Sequence, residues 1–108
     1  MNTRTILAAV AGLALTVAGA QAASAQDFAQ THPRRAEVNQ RLNHQDKRIV
    51  AERADGAIGP MKAHRLHQAD RRIRASERRY SMRHGGHISK GERARLNHRE
   101  NAVSHRIG

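Results

Sequence analysis

The sequence predicts an all-α protein of three short amphipathic helices joined by two related glycine turns, as a helical hairpin or small bundle with a thin core. The first indication is an octad that recurs three times, as LNHQDKRI at 42–49, LHQADRRI at 66–73 and LNHRENAV at 96–103. Each copy places a leucine and a β-branched residue seven apart, with an acid four residues after the leucine. This spacing is helical, so the chain repeats one helical unit.

The apolar residues of each block also follow helical spacing. They form a narrow stripe along one side of each predicted helix, which Arg99 and Glu100 interrupt in the third block. A stripe this narrow is typical of a seam between two or three helices and predicts modest burial. Its members are Val38, Leu42, Gln45 and Ile49, then Leu66, Ala69, Ile73, Ser76 and Tyr80, and finally Leu96, Val103 and Ile107.

The two turns align with each other, as DGAIGPMKAHRL at 55–66 and GGHISKGERARL at 85–96. Gly56 and Gly86 occupy equivalent positions, where a glycine with positive φ can end a helix. Ile58 and Ile88 follow each glycine at the same distance and are predicted to plug the ends of the core. The histidines at 84 and 87 align with alanines, so the turn does not depend on them.

Each turn also carries the signals that start the next helix. Gly59 and Ser89 fall at the predicted N-caps, and Pro60 suits the first helical position. Ser89 and Glu92 form S-x-x-E, the capping box, in which each side chain satisfies an orphan backbone N–H of the other residue. We therefore expect helices over 34–54, 60–83 and 89–106, and the short connections favour antiparallel neighbours.

The beginning of the chain predicts export. Residues 1–25 combine a short basic region at Arg4, an apolar stretch over 6–20 and small residues at 23–25, which is the pattern of a secretory signal peptide with cleavage after Ala25. The apolar stretch is too short and too rich in Ala and Gly for a membrane span, so the mature protein is not expected to be integral to a membrane. Residues 26–33 are predicted to be a disordered N-terminus, and 34–108 the helical domain.

Composition limits the function classes. The chain has no cysteine, which excludes thiol catalysis and thiolate metal sites. Loss of Arg4 with the leader lowers the formal net charge from +11 to +10, and 17 of the 20 basic residues are arginine. Arginine matches carboxylate and phosphate groups bidentately, so the charge indicates an anionic partner. No nucleophile motif, metalloprotease motif or phosphate-binding glycine loop is present, and an enzyme is not expected.

Two segments carry a resemblance. HPRRAEVNQRL near the start of the mature chain and HGGHISKGE…LNHRENAVSHRIG at its end resemble small exported proteins of proteobacteria. The resemblance implies a small exported helical protein and no particular activity. The turn also looks like half of an EF-hand loop, but Ser81, Arg83 and Gly85 would occupy three calcium-ligand positions, which excludes calcium binding.

Histidine suggests one candidate site. His64 and His67 are three apart on a predicted helix and share a face, while His84 and His87 bracket the second glycine turn and could add to that site. Such a cluster would bind Ni, Cu or Zn through imidazole nitrogens. Alternatively the eight histidines form a polar outer surface, or respond to pH between about 7 and 5.

The arginine run DRRIRASERRYSMR at 70–83 suggests the second candidate site. Its positive charges are largely uncompensated within the helix, so a lipopolysaccharide phosphate, an anionic lipid or an acidic protein is the expected partner. Nucleic acid is disfavoured because the chain has only two aromatic residues to stack on bases. The predicted anion-binding residues are Arg71, Arg72, Arg74, Arg78 and Arg79.

The sequence therefore predicts a non-enzymatic, exported, basic binding or stress-adaptor protein that engages anionic partners and needs no cofactor. The alternative is a periplasmic transition-metal-binding protein that uses the histidines. Self-association through the narrow seam is compatible with both functions.

Overall fold

The computed structural model describes residues 24–108, which fall into two compact units, a first that ends at Thr31 and a second over His32–Gly108. The second unit is formed by three helices, α1 (Pro33–Ala54), α2 (Pro60–Arg83) and α3 (Lys90–Ile107). The described part of the chain contains helices and turns only, so the predicted all-α class is confirmed. The helices begin and end within one residue of the predicted positions.

The segment before the bundle differs from its prediction. Residues 24–31 are helical, and the Thr31 hydroxyl donates to the carbonyl oxygens of Asp27 and Phe28 at 3.0 and 3.3 Å. The prediction of a disordered stretch over 26–33 was therefore wrong. It was based on polarity and the absence of an apolar pattern, whereas alanine and glutamine, which supply four of the six residues at 25–30, favour helix through backbone propensity alone. The predicted signal peptide lies almost entirely outside the described residues.

The two glycine turns end their helices as expected. Gly56 has φ +78° and Gly86 has φ +96°, in the left-handed region that favours glycine. Gly85, which was not singled out from the sequence, has φ +63° as well. Consequently the second turn contains two consecutive left-handed residues, and a side chain at either position would be strained.

The helix starts also follow their sequence signals. Pro60 is at the start of α2, whose N-cap is Gly59 in an extended conformation. The capping box of α3 is complete, since the Glu92 N–H donates to Ser89 Oγ at 3.1 Å and the Ser89 N–H donates to Glu92 Oε1 at 2.8 Å. These two bonds satisfy orphan donors and set where the chain re-enters helix.

The core follows the predicted stripe, although Ala69 and Tyr80 are only partly buried. Five further residues are buried: Ala63, Asp70, Glu77, Ser81 and Glu100. The leucine and the β-branched residue of every octad are buried, and Ile58 and Ile88 close the core at the turns with 6% and 2% exposure. Glu100, which the sequence pattern treats as an interruption, is fully buried at 0% exposure. Each helix packs against the other two, so the stripe is the interior of a three-helix bundle. None of the helices described here has the length and apolar character needed to cross a membrane.

Candidate functional site

The outer surface of α2 is basic along its whole length. Its only carboxylates, Asp70 and Glu77, have 1% and 2% exposure and point into the bundle. All of its cations except Arg74 are exposed. The helix therefore shows positive charge to solvent without exposed negative charge to balance it. The exposed cations are Lys62, Arg65, Arg71, Arg72, Arg78, Arg79 and Arg83.

One predicted anion-binding residue has a different role. The Arg74 guanidinium donates to Asn43 Oδ1 at 2.7 Å and to Asp46 Oδ2 at 3.2 Å, both on α1. Arg74 lies about one helical turn from both Arg71 and Arg78, but its side chain is partly buried against α1 whereas theirs are exposed. We therefore remove Arg74 from the anion-binding set, because its charge is already engaged by a carboxylate of the same chain.

The seam between α1 and α2 is closed by ion pairs. Arg35 Nε lies 2.6 Å from Glu77 Oε1, and the side chains of this pair are 20% and 3% exposed. Asp46 bonds both Arg74 and His67, with His67 Nδ1 at 3.1 Å from Asp46 Oδ1. Each acid of this seam therefore meets a cationic or ionisable group from the opposite helix.

The seam between α1 and α3 is closed mainly by neutral acceptors. Arg48 donates to Ser104 Oγ at 2.7 Å, and Arg41 donates to the side-chain oxygen of Asn101. Arg41 and Arg48 each precede a stripe residue, so their heads reach across to α3 while their stems cover the seam. Deeper in the seam, Gln45 Nε2 donates to the Glu100 carbonyl oxygen at 2.7 Å.

The seam between α2 and α3 lacks such charge pairing. Arg99 donates to Ser76 Oγ at 2.6 Å, and Arg79 donates to the same hydroxyl at 3.1 Å. A hydroxyl offers a dipole but no negative charge, so it satisfies hydrogen bonds without neutralising either guanidinium. Among the described residues, no carboxylate is paired with an arginine across this seam.

The acids of the three octads meet different environments. Burial, reinforced by a hydrogen bond with Asp46 and by the negative charge of Asp46, raises the pKa of Asp70 to about 8. Burial would also raise the pKa of Asp46, but its hydrogen bonds with Asp70, His67 and Arg74 together lower it. Asp70 is therefore the acid that keeps a proton and is mainly neutral at pH 7, whereas Asp46 is ionised.

Glu100 is the third octad acid. Burial is the main cause that raises its pKa to about 7, and the positive charge of Arg41 only partly opposes this. Neither of its carboxylate oxygens accepts a hydrogen bond from any residue of the described chain. Burial of an unpaired carboxylate is costly, so the neutral form predominates as the pH falls below 7. The sequence shows the acids at one repeat position but gives no sign of these different states.

The four histidines of the predicted metal site do not come together. His64 and His67 lie on the first half of α2, whereas His84 and His87 follow its C-terminus. At a rise of about 1.5 Å per residue, the helix separates His67 from His84 by about 25 Å. The expectation that the turn histidines add to the α2 pair was therefore wrong, because a straight helix separates them.

Each pair of histidines has local contacts instead. His67 bonds Asp46, His84 Nε2 lies 3.3 Å from Glu92 Oε1, and the His87 ring stacks on His32 with 4.7 Å between ring centroids. Within residues 24–108, no group of three or more histidine or carboxylate side chains is arranged to hold a metal ion.

Comparisons with protein-family models, curated proteins and solved structures gave no match to this chain.

Proposed function

We propose that this protein is an exported, non-enzymatic binding protein that engages anionic partners through the arginines of α2. The observation that supports the proposal is the separation of charge on this helix, since both acids are buried and seven cations are exposed. A solvated helix surface usually mixes both signs, because like charges one turn apart repel each other. An anionic partner would relieve this repulsion.

The buried acids strengthen the basic character. Asp70 has a pKa of about 8, so at neutral pH it contributes little negative charge to offset the arginines around it. Arg35, Arg41, Arg48 and Arg74 each donate to a neighbouring helix, so they contribute to holding the bundle together. The binding set is therefore reduced to Arg71, Arg72, Arg78 and Arg79.

The first test is binding to heparin and to lipopolysaccharide over a range of salt concentrations. We expect affinity to fall steeply with salt, because binding releases counterions from the polyanion. The variant Arg71→Glu/Arg78→Glu should weaken binding by at least about tenfold. Neither side chain bonds another of the described helices, so the variant should keep the helical content of the native protein.

The matched control is Lys47→Glu/Arg106→Glu. It changes the net charge by the same amount as the test variant, but at one position on α1 and one on α3. We expect at most a small loss of affinity from it. Equal losses in the two variants would show that binding depends only on total charge, and an absence of binding to both polyanions would refute the proposal. Export is tested separately, by sequencing the N-terminus of the protein recovered from the periplasm, which should begin at Gln26.

A further inference from the structure

We propose that the groove between α2 and α3 docks an acidic amphipathic helix from a partner protein. This inference rests on the proposed function, which it narrows to one surface and one class of partner. Among the described residues, the α2/α3 seam is the only one of the three helix–helix seams in which no carboxylate is paired with an arginine.

The groove contains two shallow hollows that lie one after the other along the helices. The first, of ≈ 500 Å³, is lined by Tyr80, Ala94, Arg95, His98 and Arg99. The second, of ≈ 230 Å³, is lined by Ala69, Arg72, Ile73, Arg99, Ala102 and Val103. Alanines line both hollows, so the small side chains leave apolar surface open between longer arginines.

The spacing of the hollows matches a helix. Ile73 in one hollow and Tyr80 in the other are seven residues apart on α2, a rise of about 10.5 Å. An incoming helix with apolar side chains at heptad spacing would place one in each hollow, as knobs enter holes in a coiled coil. Arg72 and Arg79 repeat at the same interval on the outer rim of α2, where flanking charges choose the partner.

The charge of the rim requires that the incoming helix be acidic. Arg72 and Arg95 are exposed. Among residues 24–108, the Ser76 hydroxyl is the acceptor that Arg79 and Arg99 share. Glutamate or aspartate beside the apolar positions of a partner helix would pair with these guanidinium groups, as Asp46 of α1 pairs with Arg74 in the α1/α2 seam.

Two other occupants fit less well. A second copy of this chain would place one arginine-lined groove against another, with repulsion between them. An acyl chain needs a continuous apolar channel, but Arg99 lines both hollows and crosses between them to Ser76. A helix projects separated side chains, so it can fill two hollows on either side of such a crossing.

The experiment uses the full chain and a synthetic acidic helix of about three heptads, with leucine at heptad spacing and glutamate at the flanking positions. Binding is measured by fluorescence anisotropy, with a scrambled peptide of the same composition for comparison. We expect the ordered peptide to bind and the scrambled one to bind at least about tenfold more weakly, a difference of about 1.4 kcal/mol.

Two variants locate the binding surface. Ala102→Trp fills the second hollow and should weaken peptide binding at least about tenfold, while Ala51→Trp, at an exposed position on α1, should leave it unchanged. Ala94→Trp fills the first hollow and provides an independent check should Ala102→Trp lose helical content. Heparin binding should be the same for all three variants, because none of them removes a charge.

The outcomes separate this inference from the proposed function. Equal peptide affinity in native protein, Ala102→Trp and Ala94→Trp, with heparin binding intact, would overturn the groove but leave the basic surface of α2. If the native protein bound neither heparin nor the peptide, both the groove inference and the proposed function would be overturned. A third outcome is that the native protein binds phosphatidylglycerol vesicles but not the peptide, and that only the groove variants lose this vesicle binding. The occupant of the groove would then be a lipid, and the proposal would be refuted.

Discussion

The α1/α2 seam and the α2/α3 seam present a contrast within one repeat. In the first, Glu77 and Asp46 neutralise Arg35 and Arg74. In the second, Arg79 and Arg99 converge on the single hydroxyl of Ser76. Both seams contain octad residues at the same helical spacing, so the difference arises from which polar side chains lie opposite each other across each helix contact. In the first seam the two arginines are paired with carboxylates of the same chain, and the second seam has cations that a partner could neutralise.

The largest expected effect is at the α1/α2 seam. Arg35→Ala would leave Glu77, 3% exposed, as an unpaired buried charge and should lower the free energy of unfolding by about 3 kcal/mol. Urea denaturation followed by circular dichroism measures it. Glu77→Gln keeps an acceptor for Arg35 and should cost clearly less. A loss below about 1 kcal/mol in Arg35→Ala would mean that this pair does not hold the seam.

The buried proton of the same seam predicts a pH dependence. Asp70 has a folded pKa of about 8, above its ordinary value of 3.8, so its contribution to stability is present at acid pH and is lost as the pH rises towards 8. Between pH 5 and 7 the slope should be about −1.4 kcal/mol per pH unit for this group.

Asp70→Asn tests that slope, because asparagine retains the shape of the neutral acid but does not titrate. Thermal or urea unfolding across pH 5 to 8 should be flatter in Asp70→Asn than in the native protein. Asp55→Asn, at an exposed turn position, should keep the native slope. Identical slopes for the native protein and Asp70→Asn would show that no proton is held between Asp46 and Asp70.

A smaller effect is expected at the partly exposed end of the α1/α2 seam. Arg74→Ala should lower the free energy of unfolding by about 1 kcal/mol, because water screens this pair more than it screens Arg35 and Glu77. Arg71→Ala, one turn away with an exposed side chain, should change stability by no more than about 0.5 kcal/mol. If the two substitutions cost the same, Arg74 belongs with the binding arginines after all.

The smallest change in stability is expected at the α2/α3 seam. Arg79→Ala should alter the free energy of unfolding by no more than about 0.5 kcal/mol, because Arg99 still donates to Ser76. The same substitution should weaken the binding of the acidic helix, measured by anisotropy. A large loss of stability with unchanged binding would reverse the roles assigned to the two seams.

The sequence was sufficient for the local architecture, because its signals act over a few residues. Glycine at 56 and 86, Pro60, and the Ser89 and Glu92 box place the helix ends within one residue of their observed positions. A glycine permits positive φ whatever surrounds it, and a capping box is complete within one turn. Export, oligomeric state and partner remain predictions.

Contacts between helices were not accessible in the same way. The period places Asp46, Asp70 and Glu100 at equivalent positions, and it places Arg71, Arg74 and Arg78 on one side of α2. Only the tertiary structure shows that Arg74 turns to Asp46 and that Glu100 is fully buried. It also shows that α2 separates the two histidine pairs.

The sequence by itself determined three amphipathic helices, their turns and a basic chain, since helical period, backbone propensity and net charge are properties of short stretches or simple sums. The tertiary structure decided which acids keep a proton, which arginines are already paired, and which seam remains open. These depend on the side chain that lies opposite across a helix contact, and residues tens of positions apart in the chain become neighbours only after packing.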